Sequence, residues 1–260
     1  MVKVLHVKLF DQGMNEAFQQ LRSITLSGAE PLNKLVSFTG AHGLVTANQD
    51  PKFKKLLDSF HWNMPDGKPG VWVGKLKGRL QMQQIPGPNF FELVIRNTAA
   101  DPQIKHFFCG GKEGVADELK AVCNSTYHNP NVTGTFCPPF RQMSHEEMVA
   151  LGKAIDESGA NLVWIGLSTP KQEMFAARLK QYTKVQFILC VGAAFDFHTG
   201  RVKYAPNWML HAGLGWLYRT LKEPKRLAGR YAQIIPLFFY YNIKSLINSP
   251  TSKNNKTIQA

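Results

Sequence analysis

From residue 100 onward the apolar and polar positions fall into short runs of two kinds. Gln103–Cys109 predicts a strand, and Gly110-Gly111 turns it into a helix over Lys112–Cys123. A further strand is expected near Asn131–Phe136. Ser144-His-Glu-Glu147 has the form of a capping box and opens a helix to about Glu157. Asn161–Leu167 is an apolar run between turn residues, the pattern of a strand buried on both faces. Pro170 stands where a first-turn proline belongs, with a helix to about Tyr182, and Val185–Val191 reads as the next strand. Three strand–helix repeats predict an α/β fold, a Rossmann-like, mostly parallel sheet flanked by helices.

The first hundred residues are less regular. Met1–Phe10 alternates like a strand, and a helix over Asp11–Ser23, a strand over Lys34–Phe38 and a helix over Pro51–Phe60 follow. Past Asn207 the pattern becomes helical and rich in Trp, Tyr, Arg and Lys. The chain thus divides into a core over 1–200, a C-terminal helical appendage over 201–248 and a polar tail over 249–260, expected to be disordered.

Charge sharpens this division. The chain carries 31 Lys and Arg against 18 Asp and Glu, a net +13. Ten of those cations and a single acid, Glu223, lie in the last 60 residues, so that part carries +9 and the first 200 only +4. A surplus so placed predicts an anionic partner for the appendage. An apolar content of 44% excludes global disorder. The apolar stretch Ile234–Tyr241 is far too short to span a bilayer. With no signal-peptide pattern at the N-terminus, and four cysteines without a C-x-x-C that read as buried reduced thiols, a cytoplasmic location is expected. Trp208, Trp216, Tyr218, Tyr231 and Phe238–Tyr241 alternate with the cations, as in an interfacial element drawn to an anionic membrane. Single-stranded nucleic acid could use the same features, and core packing accounts for some of the aromatics.

In an open α/β sheet, ligands collect beyond the carboxyl ends of the strands. That rule selects Thr39, Gly110, Gly111, Gln172 in Thr169-Pro-Lys-Gln-Glu173, and Asp196. Asp66, in Met64-Pro-Asp-Gly67, is the best candidate general base, although Pro-Asp-Gly is also an ordinary turn. Gly110-Gly-Lys-Glu-Gly114 could bring backbone N–H groups to a phosphate or be a plain strand–helix turn; it has neither the P-loop nor the G-x-G-x-x-G spacing. No D-x-D, H-x-H or H-E-x-x-H occurs, so neither a metal nor another cofactor is expected. A diphosphate leaving group would then need cations from the protein. Arg219, Arg226 and Arg230 are spaced to share a helical face or to cluster about a bend at Pro224, or else they form a solvated basic face.

Over about residues 33–240 the chain resembles the WecG/TagA/CpsF family, glycosyltransferase family 26. The matching blocks include Thr39-Gly-Ala-His-Gly43, Pro65-Asp-Gly-Lys-Pro69, Phe107-Phe-Cys-Gly-Gly-Lys-Glu-Gly-Val115 and Gly134–Phe140. Trp164–Glu173, Val191–Phe197, Ala205–Met209 and Trp216–Arg219 with Glu223–Leu227 and Arg230-Tyr231 continue them in the family's order. The resemblance implies an inverting, metal-independent transferase of the GT-E fold. Such an enzyme would move a sugar from a UDP-sugar to a polyprenyl-diphosphate-linked saccharide, at the cytoplasmic face of the membrane, in cell-surface polysaccharide synthesis. It assigns the base to Asp66, the active-site threonine to Thr39 and the P-K-Q-E glutamine to Gln172. The arginines that hold the UDP diphosphate match Arg219, Arg226 and Arg230, and Gly110, Gly111 and Asp196, selected by the sheet-edge rule, join them as donor-binding candidates. Thr46, in a T-x-N lying too close to Asp66, is treated as a decoy. The T-x-x-H-G pattern, found in exopolysaccharide-type members, adds His42 to an acceptor pocket.

The sequence departs from the family's pattern at Gln84, where an arginine is usual, at Asn89, where an aspartate is usual, and at Gly215, which lacks a carboxylate. Gln84 and Asn89 join the acceptor-pocket candidates. These departures motivate a second reading, a catalytically retired UDP-sugar-binding or scaffold subunit of a polysaccharide assembly complex. Nucleic acid is not expected as a partner. The sugar, the acceptor and the oligomeric state, a homo-oligomer included, are open at this level.

Overall fold

The computed structural model of the protein describes residues 1–28 and 31–247, with the side chain of Leu246 undescribed. The tail expected over 249–260 lies outside the described residues. In chain order the elements are β1 (Val2–Val4), β2 (Val7–Leu9), α1 (Met14–Ser27), β3 (Lys34–Thr39), α2 (Ala41–Gln49), α3 (Pro51–Asp58) and β4 (Trp62–Pro65). There follow α4 (Lys68–Leu76), α5 (Gly87–Asn97), β5 (His106–Gly110), α6 (Val115–Ser125), β6 (Val132–Phe136), α7 (His145–Glu157) and β7 (Leu162–Gly166). The last are α8 (Lys171–Leu179), β8 (Phe187–Cys190), α9 (Ala194–His198), α10 (Asn207–His211), α11 (Gly215–Lys222) and α12 (Pro224–Ile247).

Six strands form one sheet in the order β4-β3-β8-β7-β5-β6, every pair parallel. Parallel strands need crossovers, which cover both faces with helices. On one face Val36, Phe38, Phe108, Trp164 and Leu189 pack with residues of α1, α5, α6 and α9. On the other, Leu35, Phe107, Val163, Ile165 and Ile188 pack with α7 and α8. This is the expected Rossmann-like α/β architecture with a C-terminal helix. The chain leaves β5 toward β6 on one side and β7 toward β8 on the other, so the direction of winding reverses between β5 and β7, the place where open α/β sheets form their ligand crevice.

The predicted strand over Met1–Phe10 is a two-stranded antiparallel hairpin, β1 with β2. Leu5 and His6 turn it with φ of 45° and 67°, the left-handed pair that a tight hairpin requires. The helix expected over Asp11–Ser23 runs later, because Gly13 stands at its N-cap and Gly28, at φ 60°, ends it. The helix from Lys112 begins instead at Val115, since Gly111 and Gly114 both take positive φ before it. The capping box forms as expected, with Ser144 Oγ accepting from the Glu147 N–H and the Glu147 carboxylate from the Ser144 N–H. Cys109, Cys123 and Cys190 are buried free thiols, and Cys137 is free and exposed. Among the described residues no helix is long and apolar enough to cross a membrane.

The break at Glu223-Pro224 separates α11 from α12. Ile234 and Phe238 of α12 are buried with Leu44, Val45 and Phe53 of α2 and α3 and with the hairpin's Val2 and Val4. The appendage is thereby packed against the core helix that follows β3.

His106, fully buried on β5, accepts at Nδ1 from the Trp164 indole N–H at 3.1 Å, so its proton sits on Nε2, 2.9 Å from Thr98 Oγ1. Burial lowers its pKa from 6.5 to about 3. The unfolded chain therefore binds a proton that the folded one does not. Stability present above about pH 6.5 is lost as the pH falls toward about 3, by on the order of 5 kcal/mol from this group. Urea unfolding across that range should show the slope, and His106→Gln should reduce it.

Candidate active site

The carboxyl ends of β3, β4, β5, β7 and β8 share one edge of the sheet, and the predicted residues gather there. Asp66 follows β4 and lies beside the end of β3, its N–H donating to the Thr39 carbonyl at 3.3 Å. Residues 84–87 clamp the turn from the other side. Gln84 Nε2 donates to the Asp66 carbonyl at 2.8 Å, the Ile85 N–H to the Pro65 carbonyl at 2.9 Å, and the Gly87 N–H to Asp66 Oδ1 at 2.9 Å. Gly87 has to be glycine, since a Cβ there would lie 2.9 Å from the Val191 carbonyl oxygen at the end of β8. Asp66 Oδ2 is left toward Gly40, which offers no side chain. Burial raises the Asp66 pKa above the usual carboxylate value, opposed by the Gly87 N–H and by the charge of Arg219. The result is a fixed, poorly solvated carboxylate with one oxygen uncommitted, as a general base needs.

Gln84 therefore closes the Pro-Asp-Gly turn through its amide, while Asn89 is exposed on α5. Thr39 is buried at the end of β3. Ser37 Oγ donates to Asn63 Oδ1 at 2.7 Å, so the Thr39 hydroxyl, 2.6 Å away, donates to Ser37. Its side chain is tied to that polar chain, and its backbone carbonyl is what meets Asp66. Gln172 is likewise committed within the fold. Its Oε1 accepts from the Gly192 N–H at 3.0 Å, and its Nε2 donates to Thr169 Oγ1, Glu173 Oε1 and the Cys190 carbonyl at 3.1–3.3 Å. It links the start of α8 to the turn after β8. The adjoining Glu173, 1% exposed, accepts from Thr169 Oγ1 at 2.9 Å, but its Oε2 is buried without a partner. Burial raises its pKa.

Gly110 and Gly111 lie at the crevice between β5 and β7. A Cβ on Gly110, at φ 142°, would come 2.7 Å from the backbone of Gly166, and the Gly111 N–H donates to the Gly166 carbonyl at 3.0 Å. That floor is bare main chain. Asp196 is half-buried on α9, beyond the end of β8, and its carbonyl accepts from the Val202 N–H.

The appendage brings its arginines to the same edge. The Arg219 guanidinium lies 5.4 Å from the Phe197 ring centroid and 3.4 Å from Glu223 Oε1, and its Nε is buried with no acceptor. Arg226 is exposed and held by Glu223, Nε to Oε2 at 2.6 Å. Arg230 stands near His42, whose imidazole pKa is lowered to about 4, first by burial and then by that charge. Tyr231, stacked obliquely on Trp216 at 5.5 Å, has its phenol pKa raised by burial, and it feels Arg219, Asp66, Arg230 and Arg226 together. One half-buried phenol within reach of all four charges shows that α11 and α12 face the Asp66 carboxylate. Thr46 donates to the His42 carbonyl one turn along α2. Among the described residues no three His, Cys, Asp or Glu side chains converge to hold a metal ion.

A Pro-Asp-Gly carboxylate, a glycine floor at the winding reversal and appendage arginines thus meet at one edge. Residues 2–252 match the model of the glycosyl transferase WecG/TagA/CpsF family. The chain belongs to that family. As a WecG/TagA/CpsF glycosyltransferase it is a transferase of polysaccharide biosynthesis, and the family works with a sugar-nucleotide donor and a lipid-linked acceptor. In this member of the WecG/TagA/CpsF family, sequence reasoning missed two contributors. Gly87 holds Asp66 through its backbone, so only its lack of a side chain could have betrayed it. Tyr231 stood in a matching block, but nothing in the spacing shows that it faces Asp66. Glu173 stood beside Gln172 at the helix start where a ligand would sit, and its burial with an unpartnered oxygen is what the spacing does not show.

Proposed function

We propose that the protein transfers a sugar from a UDP-sugar, with inversion, to a polyprenyl-diphosphate-linked saccharide at the cytoplasmic face of the membrane. The observation that carries the reading is the pairing of the Asp66 carboxylate, its pKa raised by burial, with the buried Nε–H of Arg219 that has no acceptor. A buried charged donor without a partner is costly, and an anionic ligand oxygen would satisfy it. Asp66 takes the proton of an acceptor hydroxyl as that oxygen bonds to the anomeric carbon. The bond from carbon to the diphosphate oxygen breaks, and its electron pair leaves with UDP. Arg219 and Arg230 stabilise the charge that builds on the diphosphate, the task a D-x-D-bound cation performs elsewhere. Arg226, already held by Glu223, contributes less. Thr39 through its backbone carbonyl and Gln172 through its side-chain amide fix the positions of Asp66 and of the Gly192 turn. Asp196 and the Gly110–Gly111 floor adjoin the donor, and His42 lies toward the acceptor.

The exopolysaccharide-type assignment rests on Thr39-Gly-Ala-His-Gly43. The cations and aromatics of α10–α12 fit attachment to an anionic membrane. The test is to incubate the protein with a panel of UDP-sugars and total lipid-linked acceptors, and to identify the product by mass spectrometry and its anomeric configuration by NMR. A product of inverted configuration, formed also in the presence of a chelator, is expected. UDP binding without any product would favour the retired-subunit reading instead.

A further inference from the structure

Between Gly67 and Phe91 the chain has four cations, Lys68, Lys75, Lys77 and Arg79, and no acid. The first 200 residues carry +4, so the rest of the core is charge-balanced. The structure places this zone on α4 and the turn that follows it. Val71, Val73 and Gly74 face the core, whereas Trp72 is 47% exposed, Leu76 74% and Leu80 75%. Trp72 and Leu76 are one turn apart on α4 and share its exposed face with Lys75 close by, and Leu80 follows in the turn after the helix, past Gly78 at φ 84°. Single exposed apolar residues are ordinary; an aromatic and two leucines so close together among cations are not.

The patch continues into the appendage. Lys68 Nζ donates to the His211 carbonyl at the end of α10, and the Trp72 ring lies against Gly213, 3.4 Å from where a Cβ would stand. On α10, Trp208 is 66% exposed and Leu210 37%. We propose that α4 and the turn after it, joined to α10, form a core-borne docking surface for an anionic phospholipid bilayer.

Charge decides the occupant. Arg79 is paired with Asp11, Nε to Oδ2 at 3.3 Å, which leaves Lys75 and Lys77 as the cations without an acid beside them in the sequence. A twofold contact with a second copy would lay these two lysines against their own counterparts, whereas anionic headgroups complement them. Tryptophan with lysine and arginine around an apolar patch is also the composition that settles at a bilayer interface. The placement has a functional sense that rests on the proposed lipid-linked acceptor. Helix α4 begins two residues after Asp66, so a bilayer on this face brings the base to the level of the headgroups. The core itself, and not only the basic C-terminal part, would then set the orientation of the cleft.

The test is co-sedimentation with vesicles of phosphatidylglycerol and phosphatidylcholine, against phosphatidylcholine alone. The triple variant Trp72→Ser, Leu76→Ser, Leu80→Ser is expected to lose about tenfold or more of its binding to the anionic vesicles. Lys75→Gln with Lys77→Gln should lose a comparable factor, at about fivefold per cation, and the loss should vanish in high salt. Quenching of tryptophan fluorescence by brominated lipid, present in the parent and diminished in Trp72→Phe, reports insertion without depending on the triple variant's folding. Turnover on a water-soluble, short-chain acceptor should be the same in all variants. Unchanged vesicle binding by both multiple variants overturns the proposal. So does a self-association, seen by sedimentation velocity, that the triple variant abolishes while vesicle binding persists. Failure of the parent to bind any UDP-sugar would sink the transferase reading alone, because the vesicle measurement judges this surface independently.

Discussion

Asp66→Asn is expected to lower the turnover of sugar transfer by about 10²–10⁴-fold, the contribution of a positioned general base. The substitution is nearly isosteric. The amide oxygen still accepts from the Gly87 N–H, and the turn keeps its bonds from Gln84 and Ile85, so the fold should survive. What disappears is the ability to take a proton at the oxygen facing Gly40. The pH dependence gives a second readout with a definite sign. Burial raises the Asp66 pKa, so the parent's kcat/KM falls as the pH drops through that raised value, where the carboxylate becomes protonated and ceases to be a base. The residual rate of the asparagine variant should lack this acid limb. Stopped-assay kinetics with UDP release as the signal would measure both. Parental turnover with the acid limb intact would remove Asp66 from the chemistry.

The second large effect is expected at Arg219. Arg219→Ala should cost about 10²–10³-fold in kcat, the range for a preorganised donor aimed at charge that develops during reaction. Arg226→Ala should cost only a few-fold, although the two residues occupy equivalent-looking places in the sequence. The distinction comes from Glu223. Arg226 spends its Nε–H and a terminal N–H on that carboxylate at the surface, while Arg219 touches it only at 3.4 Å and keeps a buried Nε–H without an acceptor. Arg219→Lys retains a charge but loses the planar fork, so partial activity is expected. UDP affinity by calorimetry separates binding from rate. Equal losses at Arg219 and Arg226 would show that the alanine series reports general basicity and not a placed donor.

The sequence was most readable where burial is symmetrical. Leu162–Gly166 and Phe187–Cys190 are covered on both faces, so their apolar runs stand out from flanking turns, and Ser144 announces α7 through bonds to residues three positions away. The first hundred residues hide their structure for physical reasons. The four-residue strand β4 is too short to show a period, and the Leu5-His6 turn has none of the glycine or asparagine that normally marks positive φ. Helices α2 and α3 abut at Asp50, whose carboxylate accepts from the Lys52 and Phe53 N–H groups, so the boundary shows only as an Asp-Pro pair. Candidate residues were legible by position but not by engagement. Thr39 and Gln172 come to the right edge, yet their polar atoms are committed to Ser37 and to Gly192, partners 2 and 20 residues away that spacing does not reveal. Gln84 looked like a lost cation, and the structure gives it the Asp66 carbonyl instead.

The glycine floor bears on how such a cleft can diverge. Gly110 backs directly onto Gly166, and a Cβ on Gly166 would lie 2.6 Å from the Phe195 ring, so neither position has room for even a methyl group. With the donor placed as proposed, selectivity among sugars therefore cannot evolve by substitution at the floor. It has to be written beside the floor, at residues such as Cys137, whose exposed thiol donates to the Gly111 carbonyl, or those of α12 near Arg230, where a changed side chain leaves the strands undisturbed. A library randomised beside the floor should yield altered donor preference, and one randomised at the floor should yield mainly unfolded protein.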